Sequence, residues 1–390
     1  MTKRVASILG LLLAAGLVNA DAPPRARDLG IPFDGTPGPL NAITDVAGVA
    51  VGHVTLIEDL PDDRAVRTGV TAILPRGVQS IDAHVFAGWF SLNGNGEMTG
   101  TTWLSDSGFL EGPVMLTNTH SVGAVHEGVI RWRVERGQSD HTGAWWSLPV
   151  VAETWDGTLN DINGFHVRPE HAMVALDASV PGPVEEGSVG GGTGMICYEF
   201  KCGIGTASRV TDVDGTPYTV GALVQANFGS LELLRVAGIP VGPYLESVGR
   251  DAGNSPEFKP GLSSIIIVVA TDAPLFAHQL DRLAKRAALG LARNGSIASN
   301  GSGDIFIAFS TANEAAGRGR PDAALAMVPN DNISPLFRAT VEATEEAIIN
   351  ALVAGRDMTG HDGSIVRGID HGQLVEVLRR HGRLVENESR

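Results

Sequence analysis

The segment that most restricts the fold is Ser263-Ser264-Ile265-Ile266-Ile267-Val268-Val269-Ala270. After the two serines every position is apolar and nearly all are β-branched, so a strand formed here can show neither face to water. It needs a packed layer on each side, which puts it in the middle of a layered α/β fold. What precedes it is opposite in character. From Val248 to Leu262, Gly249, Asp251, Gly253, Asn254, Ser255, Pro256, Pro260 and Gly261 leave no periodicity, and the stretch reads as an exposed loop or linker. A loop that runs through a serine into a central strand is a place where a new N-terminus could be made.

Other elements follow from spacing. Val49-Ala50-Val51 and Val70 to Leu74 alternate with Gly48, Gly52 and Gly69 in strand-and-turn rhythm, and Ala172 to Leu176 and Tyr218 to Val224 are further strand candidates. Leu280, Leu283, Ala287 and Leu291 recur at helical steps between Pro274 and Asn294-Gly295. A second helix runs from a Ser334 cap with Pro335 in its first turn, through Phe337, Val341, Thr344, Ile348 and Leu352, to Gly355. Both helices read as amphipathic, each covering a sheet face. Strands and helices mix without a regular alternation, which favours a sheet layer or two sheets flanked by helices over a barrel of repeats.

At roughly 150 residues per domain, 390 residues would allow two or three domains, but one large layered domain is also ordinary at this length. Hydrophobic content of 43% against 19% charged describes a folded globular chain rather than a disordered, collagen-like or coiled-coil one. The net charge of −15 repels phosphate backbones, so neither nucleic acid nor an anionic membrane is expected as a partner. Lys3 and Arg4 precede an apolar run from Ile8 to Val18, and Val18-Asn19-Ala20 puts small residues before a cleavage point. Residues 1–20 thus read as a signal peptide and 21–390 as a single domain working in the periplasm or outside the cell. Cys197 and Cys202 are too few for a disulfide scaffold or a four-cysteine zinc site, and their spacing leaves open a bridge or two thiols. The histidines, His120 and His126 among them, form neither HExxH nor a close cluster, so no metal is expected. Gly190-Gly191-Gly192-Thr193-Gly194 lacks the lysine of a phosphate loop and reads as tight turns and close backbone packing.

The densest polar segment is Asn294 to Asp304, a glycine-rich loop with three serines ahead of the apolar strand Ile305 to Phe309. In extended chain, Ser302 and Asp304 share one face, so the carboxylate could hold the hydroxyl in a hydrogen-bonded relay. Ser105 to Gly108 and Ser310 to Asn313 offer hydroxyls without a base and read as caps and turns.

At these residues the chain resembles the self-processing aminopeptidases that include the L-aminopeptidase D-amidase/esterase and the β-peptidyl aminopeptidases. The stretches are Leu92 to Glu97, Thr117 to Gly123, Ala152 to Gly157, Gly190 to Arg209, Ala226 to Gly229, Ser264 to Leu275 and Gly295 to Asn313. Any one alone would be weak; their occurrence in this order is specific. The resemblance implies an αββα sandwich of the N-terminal-nucleophile hydrolase type. It also implies a precursor cut at Ser263-Ser264 into 21–263 and 264–390, with Ser264 both N-terminus and nucleophile. Ser302 and Asp304 match the family's second serine and acid, Asn227 its oxyanion-stabilising asparagine, Glu153 the acceptor of the substrate's amino group and Trp155 a pocket wall. Two positions depart from the pattern: Ser263 stands where Gly or Asn is expected, and Asp304 where the β-peptidyl branch has Glu. The expected substrate is a short peptide, β-peptide or amino-acid amide. No cofactor is implied, and the cleaved heterodimers are expected to assemble into a homo-oligomer. The related ornithine acetyltransferases use a threonine nucleophile, against which Ser264 speaks. A non-enzymatic exported solute-binding protein would give no reason for the loop-serine-strand junction.

Overall fold

The computed structural model describes residues 23–78, 83–136, 146–245, 263–318 and 324–385. The leader and the 248–262 loop lie outside these. The strands of the two main sheets are β1 (Ala50–Asp59), β2 (Ala65–Leu74), β3 (Val85–Ser91), β4 (Phe109–Leu110), β5 (Val114–Asn118), β6 (Val150–Thr154), β7 (Ile204–Val213), β8 (Thr216–Asn227), β9 (Ser263–Thr271) and β10 (Ser302–Ser310). The helices are α1 (Thr101–Ser107), α2 (Val122–Arg136), α3 (Pro169–Asp177), α4 (Ala277–Arg293), α5 (Ser334–Val353) and α6 (His371–Arg380).

The apolar run becomes β9, near the centre of a six-stranded sheet ordered β4-β3-β10-β9-β8-β7. Its side chains alternate as a strand requires. Ile265, Ile267 and Val269 join a core with Leu280, Leu283 and Leu291 of α4 and Ile348 and Leu352 of α5. Ile266, Val268 and Ala270 face the other way, into a core shared with Val51, Ile73, Leu116 and Ala152 of the second sheet. That sheet has four strands, β1-β2-β5-β6, and its far face is covered by α2 and α3 through Val125, Val129, Trp132, Ala172 and Leu176. The layers therefore run helix, sheet, sheet, helix, as an αββα sandwich requires. β9 and β10 are parallel, and α4 provides the crossover between them.

Three expectations are corrected. Ala172 to Leu176 is not a strand but part of α3, which Pro169 opens; Ala172, Ala175 and Leu176 are its buried residues, the three- and four-residue steps of a helix. The second expected helix, α5, is present but is not a surface helix. Its charged residues Glu342 and Glu346 are buried with the rest, because the N-terminal segment closes over it. Arg27 and Arg209 both bond Glu346, at 2.8 and 2.7 Å. Ser334 is the first residue of α5 rather than its cap. Gly190–Gly192 forms a 3₁₀ turn inside the fold, and a Cβ on Gly191 would lie 2.1 Å from Oε1 of Gln225, so close packing is what the glycine provides. Among the described residues, no helix is long and apolar enough to cross a membrane.

Candidate active site

Strand register gathers the polar residues singled out in the sequence at one end of the six-stranded sheet, with Ser264 and Asn227 on its inter-sheet face and Ser263, Ser302 and Asp304 on the face towards α4 and α5. Ser264 of β9 pairs with Asn227, the last residue of β8, on one side and with Gly303 of β10 on the other. Ser263 stands opposite Ser302. Ser302 and Asp304 are therefore the first turn of pleat in β10 rather than part of the loop before it, and the extended chain puts both side chains on one face. Ser302 Oγ donates to Asp304 Oδ1 at 2.7 Å, and Ser263 Oγ donates to Ser302 Oγ at 3.2 Å. Ser264 Oγ accepts the Gly303 amide at 3.1 Å. Ser264 and Asn227 are only 6% and 7% exposed, so these groups work in a largely dry setting.

Asp304 is fully buried, and burial pushes its carboxyl up from 3.8 to about 6, against the hydrogen bonds from Ser302 and the Ile265 backbone. The Asn227 carboxamide is fixed at both ends. Its Oδ1 accepts the Ile196 amide and its Nδ2 donates to the Trp155 carbonyl, each at 2.9 Å. One further amide hydrogen is left for a ligand.

Glu153, near the end of β6, is 3% exposed. It accepts the Glu97 amide at 3.0 Å and the Thr119 hydroxyl. Burial raises its pKa from the ordinary value, opposed by those two hydrogen bonds. The 93–97 loop ties it to the serines. A Cβ on Gly96 would be tight, 3.1 Å from Cα of Gly303 and 3.3 Å from Oε1 of Glu153, and one on Gly303 would lie 2.4 Å from the Asn95 carbonyl oxygen and 2.7 Å from Cα of Gly96, so glycine at 303 lets the loop approach this closely. Asn95 and Leu92 hold that loop on β10 through their amides, bonded to the Ser302 and Asp304 carbonyls. Trp155, two residues on from Glu153, is 38% exposed, and its indole lies over Gly157, where a Cβ would come within 2.6 Å of the ring. His120, next to Thr119, stacks on the exposed Phe165 and opposes the burial effect on Glu153 electrostatically.

The seven residues taken from the sequence, Glu153, Trp155, Asn227, Ser263, Ser264, Ser302 and Asp304, lie around this end of the two sheets, with the Ser264 side chain and the Ser302–Asp304 pair on opposite faces of their own sheet. Sequence reasoning gave no role to the Glu97 amide, Thr119 or the Ile196 amide. All three lie in stretches that carried the resemblance, Leu92 to Glu97, Thr117 to Gly123 and Gly190 to Arg209, which was the available signal. Beneath them Asp156, also raised to about 6 by burial, is held by Asn118, Asn160 and Thr68. Cys197 and Cys202, left open by the sequence, form a disulfide. Among the described residues, no group of three or more His, Cys, Asp or Glu side chains could hold a metal ion.

A strand that opens on two serines, a serine–carboxylate pair and a fixed carboxamide are groups an acyl-transfer site can use. A family model for peptidase family S58 matches residues 41–366. The chain belongs to peptidase family S58. It is 52% identical to the β-peptidyl aminopeptidase BapA of Sphingosinicella microcystinivorans, over 97% of each chain. The BapA of Sphingosinicella xenopeptidilytica is 46% identical over 95% of each. Among solved structures, the L-aminopeptidase D-Ala-esterase/amidase of Ochrobactrum anthropi superposes with a TM-score of 0.84 at 50% identity, covering 93% of this chain and 100% of that one. That protein is a variant among the Ntn hydrolase folds. The β-aminopeptidase of a Burkholderia species gives a TM-score of 0.82 at 50% identity, covering 92% and 99%. The chain is therefore a peptidase with this variant of the Ntn hydrolase fold, and membership of the family sets aside both the acyltransferase and the solute-binding readings.

Proposed function

We propose that the protein is an exported aminopeptidase that matures by cutting its own chain between Ser263 and Ser264. The observation that carries this reading is the register of β9. It pairs Ser264 with Asn227 on one side and Gly303 on the other, and it sets Ser263, the first residue of the strand, opposite Ser302, whose hydroxyl is held by Asp304. In self-cleavage Ser264 Oγ attacks the Ser263 carbonyl, the peptide nitrogen leaves as the new α-amine, and water hydrolyses the resulting ester. A free α-amine has a reference pKa of about 7.7–8.0, so it can accept the Ser264 hydroxyl proton near neutral pH.

In turnover Ser264 Oγ adds to the substrate carbonyl and its proton passes to that amine. The tetrahedral oxyanion takes the remaining amide hydrogen of Asn227. Ser302, held by Asp304, completes the proton network and returns a proton to the leaving amine; water then releases the acyl group. Glu153 receives the substrate's ammonium, which confines cleavage to chain ends because an internal peptide would leave the buried carboxylate unpaired. Trp155 forms a wall beside it. Identity of 46–52% to β-peptidyl aminopeptidases supports short peptides that include β-residues as substrates, with amino-acid amides beside them. Export is supported by the leader and by the Cys197–Cys202 bridge, which persists in an oxidising compartment. The same reading has the cleaved pairs assemble into a homo-oligomer, measurable by light scattering.

The test is the N-terminal sequence of the smaller fragment. Active protein should give bands of roughly 25 and 13 kDa by proportion of length, the smaller beginning at Ser264, and Ser264→Ala should stay uncut. Active protein that remains one band would end this reading. Fractionation of the expressing cells reads location, with cytoplasmic activity and Met1 intact counting against export.

A further inference from the structure

Lys201 is the one lysine that is fully buried among the described residues. It ends a short hairpin, Ile196–Cys197 against Phe200–Lys201, closed by the disulfide. All three hydrogen-bond partners of its Nζ are backbone carbonyl oxygens: Cys202 at 2.6 Å, Met195 at 2.9 Å and Gly192 at 3.5 Å. Three acceptors around one nitrogen match the three N–H bonds of an ammonium; a neutral amine would turn its lone pair on one of them. Burial draws the pKa down to about 7. Burying a cation without a carboxylate costs several kcal/mol, and an apolar side chain of the same length would fill the space without that cost.

What the charge touches leads back to the reacting centre. The Met195 oxygen that accepts Lys201 belongs to the same peptide unit as the Ile196 N–H, and that N–H donates to Asn227 Oδ1 at 2.9 Å. An ammonium on a peptide oxygen makes the N–H of that peptide a stronger donor, and a stronger donor on a carboxamide oxygen makes the carboxamide's own N–H bonds stronger donors in turn. Below about pH 7, where Nζ keeps its proton, its charge is thereby felt at Asn227 Nδ2, whose remaining N–H is the one an oxyanion would take. We infer that Lys201 is a positioning residue for Asn227: through the Met195–Ile196 peptide it fixes and polarises the carboxamide that stabilises the tetrahedral intermediate. This rests on the reading of Asn227 given above.

A double-mutant cycle tests it, with Lys201→Met, Asn227→Ala and the pair, each measured on full-length protein with a β-amino-acid p-nitroanilide. Rates are taken per active site counted by titration. Self-cleavage also passes through an oxyanion, so its rate constant serves as the same readout for a variant too slow to mature. Asn227→Ala should lower kcat by about 100- to 1,000-fold, as loss of one oxyanion donor does. Lys201→Met should lower it by about 10-fold or more with KM within about twofold, and should add less than about twofold in the Asn227→Ala background. A purely structural lysine would change the folded fraction but not the rate per site, nor split kcat from KM. Lys201→Gln keeps amide donors for the carbonyls without the charge, and carries the same test if Lys201→Met does not fold. An unchanged kcat per site, an equal loss in both backgrounds, or failure of both variants to fold would overturn the inference. An Asn227→Ala enzyme with normal kcat would instead bring down the oxyanion assignment itself, and this inference with it.

Discussion

Replacing Asp304 by Asn should make the protein more stable and far less active, and the stability change should depend on pH. Asp304 is fully buried, and its carboxyl is raised from 3.8 to about 6 by that burial. The folded chain therefore binds this proton more tightly than the unfolded chain by about 3 kcal/mol. That contribution to stability is fully present below the unfolded pKa and is lost as pH rises through about 6, so above pH 7 the folded protein carries a buried carboxylate at a cost of about 3 kcal/mol. Asparagine removes the charge and keeps an oxygen for the Ser302 hydroxyl, while its NH2 group takes the place of the buried Oδ2, which has no hydrogen-bond partner, and costs about 1 kcal/mol as an unpaired donor. The net gain near pH 8 is about 2 kcal/mol, shrinking towards zero or slightly below near pH 4. Urea unfolding of Ser264→Ala with and without Asp304→Asn measures it, because both chains then stay uncut and no free α-amine perturbs the site. In the Ser264 background, turnover per titrated site should fall by about 100-fold or more, since members of a coupled proton relay are each needed. A stability difference that does not change between pH 4.5 and 8, or an Asn variant less stable at pH 8, would refute the argument from buried charge.

Glu153→Gln should raise KM for substrates with a free amino group by about 10- to 100-fold, the worth of a charge-assisted hydrogen bond, with a smaller effect on kcat. For the unaltered enzyme, N-acetylated p-nitroanilides should be poor substrates; undiminished cleavage of them would remove Glu153 from its role. Because burial raises the Glu153 pKa, kcat/KM should begin to fall on acidification at a pH above the ordinary 4.5, as the carboxylate that receives the ammonium is lost. Cys197→Ser with Cys202→Ser opens a bridge of sequence separation 5, and should cost about 2 kcal/mol in the chain-entropy account. Ile196 is next to Cys197 and holds Asn227, so kcat per site should fall as well. An unfolding midpoint unmoved by the double substitution or by reductant would show that the hairpin does not need its bridge.

The residues of β9 and α4 could be read in advance because their pattern is local. A run of β-branched residues has one way to bury both faces, and leucines at three- and four-residue steps have one face to bury. The Ser302–Asp304 pair was legible for the same reason, since alternate residues of an extended chain share a side. Ala172 to Leu176 misled because a short apolar run fits either period until the neighbouring proline and the packing partner decide. The αββα arrangement and the grouping of Glu153, Asn227 and Ser264 were legible only through resemblance, because nothing local says which strand ends meet. That was decided by register: Asn227 pairs with Ser264, and Gly96 passes between Glu153 and Gly303. The support for Asn227 could not be read from the chain at all. It comes from a backbone amide at Ile196 and a buried cation at Lys201 acting on one peptide, and every peptide looks alike in a sequence until tertiary packing removes water from around it.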